Sequence, residues 1–325
     1  MNALRNANVL ITGGTGTFGN AFARYCLDRG SRRVVIFSRD ELKQSEMRLR
    51  FPDDRMRFLV GDVRDPQRLE DVFRRIDIVV HAAAKKRIDT CEADPYEAVL
   101  TNVMGTVNVA RQCVHSGVKK AIFLSTDKVP ASVTTYGASK LCAERAWIGW
   151  NVYSAGQATR FSATRYGNVL GSRGSVLGLW QRQYAANEPL TITNEACTRF
   201  WMTIGDAVDL VDTALTEMRG GEVFVPKVGA STLLDLARAV VEQHGTYAPG
   251  HVVTGLRAGE RMHETLISED EARSTYDYPG YFRLEPDRTW EYLPPLDAPK
   301  VPEGFSYQSD TAVRLEVDEL RRMIA

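Results

Sequence analysis

Tyr136 and Lys140 stand four residues apart, close behind the run Ser125-Thr126-Asp127-Lys128. On a helix that spacing puts the phenol and the ammonium on one face. A cation there lowers a tyrosine's pKa from its free value of about 10. Such a tyrosine can take a proton from an alcohol while a hydride leaves the same carbon. The Asp127–Lys128 pair adds an acid and a base. Once a ketone has formed, the adjoining C–H becomes acidic. A lysine kept neutral by burial or by a neighbouring cation, for which Lys86 is the candidate, could remove that proton. Asp127, held protonated, would give its proton to a departing hydroxyl. Return of the hydride closes the cycle with no net redox change. Asp-Lys in a loop is usually a solvated surface pair; its place between a strand end and the Tyr-Lys helix is what argues for chemistry.

Those residues need a scaffold. In the first half, short apolar runs (8–12, 33–37, 56–60, 76–81, 121–125 and 158–165) alternate with longer amphipathic stretches. Near-continuous apolar strands separated by helices predict an α/β fold, a doubly wound parallel sheet covered on both faces. Residues 1–170 are expected to form the dinucleotide-binding domain. Residues 171–325 are expected to form a smaller α/β substrate lobe, with 205–230 returning to the first domain. In the second half, helices are expected over 174–186, 205–219, 231–244 and 260–267, and extended chain over 200–204 and 222–225. The span 278–302 holds five prolines (Pro279, Pro286, Pro294, Pro295, Pro299) and reads as a surface meander.

Gly13, Gly16 and Gly19 lie in Thr12-Gly13-Gly14-Thr15-Gly16-Thr17-Phe18-Gly19, between the first strand and the first helix. There the backbone can turn tightly and approach a pyrophosphate, which the helix N-terminus attracts. The second strand ends in Ser38-Arg39-Asp40, with Lys43 beyond it. Two cations and a hydroxyl suit a ribose 2′-phosphate, which favours NADP; Asp40 keeps NAD open. Asp62, after the third strand, could cap the adenine amine. Ala82 and Ala83 have side chains small enough for a cofactor to lie against the backbone.

The bulk composition excludes other classes. Forty-one basic and 41 acidic residues balance, so nucleic acid and membrane surfaces have no electrostatic claim. Cys26, Cys91, Cys113, Cys142 and Cys197 are widely spaced, which predicts buried free thiols in a reducing, cytoplasmic setting. Five scattered histidines predict no metal site.

From Thr12-Gly13 through Tyr136 and Lys140 the chain resembles the extended short-chain dehydrogenase/reductases. More narrowly it is similar to the C5-inverting UDP-N-acetylglucosamine 4,6-dehydratases of bacterial surface-glycan synthesis. The matching stretches are 38–43, 61–65, 81–84, 125–128, 165–169, 171–176, 198–201 and 255–257. The resemblance implies Lys128 as the C5 base, Asp127 as the acid at the C6 hydroxyl, and Tyr136 with Lys140 at C4, Thr126 completing the catalytic set. It implies a cofactor site of Gly13, Thr15, Gly16, Thr17, Phe18, Gly19, Ser38, Arg39, Lys43, Asp62, Val63, Ala82, Ala83, Lys86, Leu124, Tyr136, Lys140 and Val169. A UDP-sugar would meet Lys86, Asn168, Arg173, Gly174, Ser175, Val176, Asn194, Arg257 and Tyr307. The family also suggests a homo-oligomer. The nearest rivals are a 4-epimerase and a retaining dehydratase, which share the oxidation half; a non-catalytic NADP-binding regulatory protein is the alternative from another class.

Overall fold

The computed structural model describes residues 2–130, 132–245, 250–286 and 298–325. Its first half runs β1 (Asn8–Thr12), α1 (Thr17–Asp28), β2 (Arg33–Ser38), α2 (Glu41–Arg50), β3 (Met56–Val60), α3 (Pro66–Val72), β4 (Ile78–His81), α4 (Ile88–Ala93), α5 (Pro95–Ala98), α6 (Gly105–His115), β5 (Lys120–Leu124), α7 (Thr135–Tyr153) and β6 (Arg160–Thr164). A π-helical turn, Val99–Met104, joins α5 to α6. The second half continues with β7 (Asn168–Val169), α8 (Val176–Ala185), β8 (Leu190–Ile192), β9 (Thr198–Met202), α9 (Ile204–Glu217), β10 (Val223–Pro226), β11 (Ala230–Thr232), α10 (Leu233–His244), β12 (His251–Val253), β13 (Thr265–Ile267), β14 (Thr275–Tyr278), β15 (Tyr281–Leu284), β16 (Tyr307–Gln308) and α11 (Val317–Ile324).

The large sheet has the order β14-β15-β10-β6-β5-β4-β1-β2-β3. From β10 to β3 every pairing is parallel, and the last two strands are antiparallel. Alternate residues along a strand face opposite sides: Leu10 and Val79 join one buried cluster with Phe123 and Trp147, while Val9, Ile11, Ile78 and Val80 join another with Phe22 and Phe224. Both faces are therefore covered, which is why these strands read as continuous apolar runs. Strand order reverses at β1, so the carboxyl ends of β1 and β4 flank the crevice where such sheets take ligands.

In the segment 205–230, α9 packs on α1, and β10 pairs with β6. Residues 275–284, expected in the lobe, also extend the large sheet, because the β14–β15 hairpin adds onto β10. The lobe keeps its own core around Trp180, Ile192, Trp201, Leu236 and Leu320. The helix expected over 260–267 is not formed. Thr265-Leu266-Ile267 instead pairs as β13 with β16, its β-branched Thr265 and Ile267 favouring the extended state. The hairpin strand 281–284 likewise interrupts the expected meander, in which Pro294 and Pro295 lie outside the described residues. The five cysteines are free; Cys142 is exposed, two residues round α7 from the buried Lys140. Among the described residues no helix is long and apolar enough to cross a membrane, and no group of side chains could hold a metal ion.

Candidate active site

The carboxyl ends of β1 to β6 open into one cleft of about 860 Å³. Every residue expected around the cofactor lines it, from Gly13 through Val169, as do all five expected catalytic residues. Phe37, Gly61, Thr101, Tyr166, Gly167, Ser172 and Ile204 line it as well and were not singled out from sequence.

The glycine-rich turn fits a dinucleotide pyrophosphate. Gly13 has φ +65°, and a Cβ there would lie 2.8 Å from the Ala82 and Ala83 backbone. A Cβ on Gly19 would lie 2.3 Å from the Gly14 carbonyl oxygen, so α1 can approach the turn only with glycine there. Gly16 begins α1 with no side-chain cap, a helix N-terminus suited to an anion. At the adenosine end, the Asp40 carboxylate accepts the Lys43 N–H at 3.0 Å and pairs with the Lys43 ammonium. Asp62 is held by Arg64 at 2.7 Å and by Arg39 at 3.6 Å. Asn102, in the π-helical turn, brackets Lys85 by bonds to its N–H (2.8 Å) and carbonyl (3.0 Å) and also donates to Ser139 on α7.

The cluster expected to be catalytic sits at the end of β5. Asp127 is 1% exposed, and its Oδ1 accepts from Thr126 Oγ1 and from Lys128 Nζ, both at 2.8 Å. Glu264 Oε1 lies 3.4 Å from the same ammonium. Arg199 Nε lies 3.6 Å from Glu264, and Arg199 Nη2 lies 2.8 Å from Glu260. A neutral Lys128 was expected; the two carboxylates beside it favour the charged amine instead. Burial works against its charge, but Asp127 and Glu264 outweigh that and lift it well above the ordinary lysine range. Arg199, not Lys86, is the cation that opposes them. Lys86 points its Nζ at the Arg173 carbonyl, 3.1 Å away, and burial, with Arg173 nearby, lowers its pKa.

Helix α7 starts where two side chains cap it. Thr134 Oγ1 accepts from Gly137 N at 3.1 Å, and the Glu92 carboxylate accepts from Thr135 N at 2.6 Å. This fixes Tyr136 and Lys140, both buried. The expected acidification of Tyr136 by Lys140 does not appear. Burial pushes the phenol up to about 12, with Lys128 and the Thr126 hydroxyl acting the other way. Lys140 donates to the Leu124 carbonyl at 2.6 Å, stacks over Phe123, and is brought down by burial to about 7.

Of the expected substrate residues, Lys86, Asn168 and Arg173 line the cleft. Gly174, Ser175 and Val176 follow outside it, Ser175 beginning α8. Asn194 is turned inward on its own loop, accepting from Ala196 N at 2.9 Å. Arg257 is exposed and Tyr307 half-buried, neither in the cleft wall. The Tyr307 hydroxyl donates to the Val228 carbonyl at 2.6 Å and accepts from the Val228 N–H at 2.9 Å. Glu264 was missed, and Arg199, though within the matching stretch 198–201, was given no role: their ion-pair partners lie more than sixty positions away.

A doubly wound sheet with a glycine-rich first turn, and a Tyr-Lys helix at the same crevice, define an extended short-chain dehydrogenase/reductase. The chain belongs to the family described as polysaccharide biosynthesis protein, whose profile matches residues 9–286. It is 40% identical over 315 residues to the UDP-N-acetylglucosamine 4,6-dehydratase (inverting) of Campylobacter jejuni subsp. jejuni serotype O:23/36 (strain 81-176), covering 93% of this chain and 92% of that one. It is 38% identical over 323 residues to a UDP-glucose 4-epimerase of Rickettsia akari (strain Hartford), covering 97% and 94%. Among solved structures, Pen from Bacillus thuringiensis superposes with a TM-score of 0.91 at 35% identity, over 99% of this chain and 97% of that one.

Proposed function

We propose that this chain is a UDP-N-acetylglucosamine 4,6-dehydratase of the C5-inverting type, a hydro-lyase working with bound NADP. The observation that carries this is the hydrogen-bonded Asp127–Lys128 pair in the same cleft as Tyr136 and Lys140. Oxidation at C4 alone needs only the tyrosine and lysine of α7. An acid and a base 2.8 Å apart suit elimination across C5–C6.

Tyr136 would take the proton of the C4 hydroxyl as its phenolate, a form that burial opposes and that the Lys128 charge and the Thr126 hydroxyl favour. The Gly13–Gly19 turn, Tyr136 and Lys140 would hold NADP, which would supply the hydride acceptor for C4 and the hydride donor for C6. Lys128 removes the C5 proton made acidic by the C4 carbonyl, Asp127 protonates the C6 hydroxyl that leaves as water, and a proton exchanged with solvent returns to C5 as the hydride reaches C6. Asp127 and Glu264 favour the charged form of Lys128, so its proton must leave before it can act as a base. Transfer of that proton across 2.8 Å converts ammonium and carboxylate into amine and carboxylic acid, arming both groups at once. The product is a UDP-2-acetamido-2,6-dideoxy-hexos-4-ulose.

NADP is favoured over NAD because Arg39, Lys43 and Ser38 line the end of the cleft where the 2′-phosphate would lie, while the Asp40 carboxylate is already occupied by Lys43. A UDP-sugar substrate and unpaired thiols fit a cytoplasmic enzyme.

Incubation with UDP-N-acetylglucosamine in deuterated water tests this reading. The expected product has lost water, carries deuterium at C5, and has inverted configuration there by NMR. The similarity to 4-epimerases sets the rival: an epimerase would return a C4 epimer of unchanged mass, and Lys128→Ala would leave it largely active. No turnover of any UDP-hexose, with cofactor still bound, would leave only a binding protein.

A further inference from the structure

The proposed acid–base pair is built by residues 127 and 128, yet the charges behind it come from the other half of the chain. Glu264 is 3% exposed, and its Oε2 has no hydrogen-bond partner in the structure. Its backbone is pinned just before β13: Glu264 N donates to Ser309 Oγ at 2.9 Å, and Ser309 N donates to the Glu264 carbonyl at 2.9 Å. Ser309 Oγ in turn meets Thr198 Oγ1 at 2.7 Å. The carboxylate is thus delivered to Lys128 by a fixed strand end rather than by a mobile side chain. Arg199 on β9, 6% exposed, stands beyond it and is itself held by Glu260.

Resting on the function proposed above, we propose that Glu264 is a positioning residue: it holds the Lys128 amine at the end of β5 and sets how one proton divides between Lys128 and Asp127. Glu264 does not line the cleft, so it acts through Lys128. The charged and titratable groups facing Lys128 are Asp127 from the β5 end, Tyr136 from α7, Arg199 from β9 and Glu264 itself. With Glu264 ionised, the proton stays on the amine and the pair rests unarmed. Arg199 weakens that hold. Proton transfer from Lys128 to Asp127 moves positive charge away from Glu264, so the Glu264–Arg199 balance fixes its energetic cost.

The variant Glu264→Gln keeps the shape and an acceptor oxygen but removes the charge. An opposite charge at this range moves a pKa by roughly 1–3 units. The pH profile of kcat for sugar dehydration should therefore shift to lower pH by about one unit or more. In the cofactor complex, the 13Cε-lysine NMR signal assigned through Lys128→Arg should titrate lower by a similar amount. Glu264→Asp, which keeps the charge, should restore the wild-type profile. Arg199→Met should move both readouts the opposite way, and it keeps the test open if Glu264→Gln fails to fold. An unmoved pH profile and an unmoved lysine titration in folded Glu264→Gln would overturn the inference. A shifted titration in a protein that dehydrates no UDP-sugar would overturn the proposed function and leave the Glu264–Lys128 coupling standing.

Discussion

Thr17 and Arg173 join opposite banks of the cleft: the Arg173 N–H donates to Thr17 Oγ1 at 3.0 Å. Thr17 opens α1 directly after the glycine-rich turn, and Arg173 belongs to the loop leading into α8. Lys86 ties the same loop from the β4 side through the Arg173 carbonyl. The bond therefore spans the channel in which a dinucleotide would lie. Thr17→Val removes the acceptor at nearly constant volume. A hydrogen bond of this kind contributes about 1 kcal/mol, so cofactor affinity should fall roughly fivefold. Calorimetric titration with NADP checks this; unchanged affinity would show the crossing bond to be incidental.

Arg39 is half-exposed at the same end of the cleft as Ser38 and Lys43. Arg39→Ala should weaken NADP by roughly tenfold through loss of a charge-assisted contact and leave NAD nearly unaffected. Parallel titrations with the two dinucleotides measure the ratio. Equal losses for both would assign Arg39 to the adenine or to Asp62 instead.

Burial brings Lys140 from the ordinary lysine value of 10.5 down to about 7. Between those values the unfolded chain binds a proton that the folded chain does not. Stability then rises with pH across the window from about 7 to 10.5, and Lys140 contributes a penalty that is largest below it. The difference in unfolding free energy between wild type and Lys140→Met should carry that slope in the cofactor-free protein. Urea melts at several pH values provide the test, and a pH-independent difference would refute it.

Arg165 is fully buried, 2.6 Å from Glu144 on α7 and 2.8 Å from Glu271. Arg165→Met strands the buried Glu144 carboxylate, leaves Glu271 with only Arg145 at 3.4 Å as a cation among the described residues, and should cost about 3–5 kcal/mol, read from denaturant unfolding. Burial alone would raise Glu271; Arg165 outweighs it and holds the pKa below the ordinary 4.5. That stabilisation is present above pH 4.5 and lost as pH falls through the lower folded value. Wild type should therefore lose stability below pH 4.5 more steeply than Arg165→Met.

What could be read in the sequence was local. Gly13 to Gly19 lie in one turn, and Tyr136 and Lys140 in one helical turn, so spacing alone brought each set to one place. The apolar runs gave the parallel sheet for the same reason. What spacing could not show was long-range: Glu264 and Arg199 reach Lys128 only through the β13–β16 and β9–β11 pairings. The 260–267 segment was misread as a helix because its partner strand lies some forty residues on. The ionisation states were misjudged for Lys128, Tyr136 and Lys140 alike, since each depends on burial and on partners that a sequence does not display. Nor could spacing show that the Tyr307 hydroxyl bonds the Val228 backbone.

Because Glu264 and Arg199 belong to the portion of the polypeptide that would choose the sugar, exchanging that portion with a relative's would not be a neutral swap of specificity. A chimera could accept a new hexose and still stall, its lysine wrongly charged. Whoever redesigns such catalysts must move the ions together with the walls.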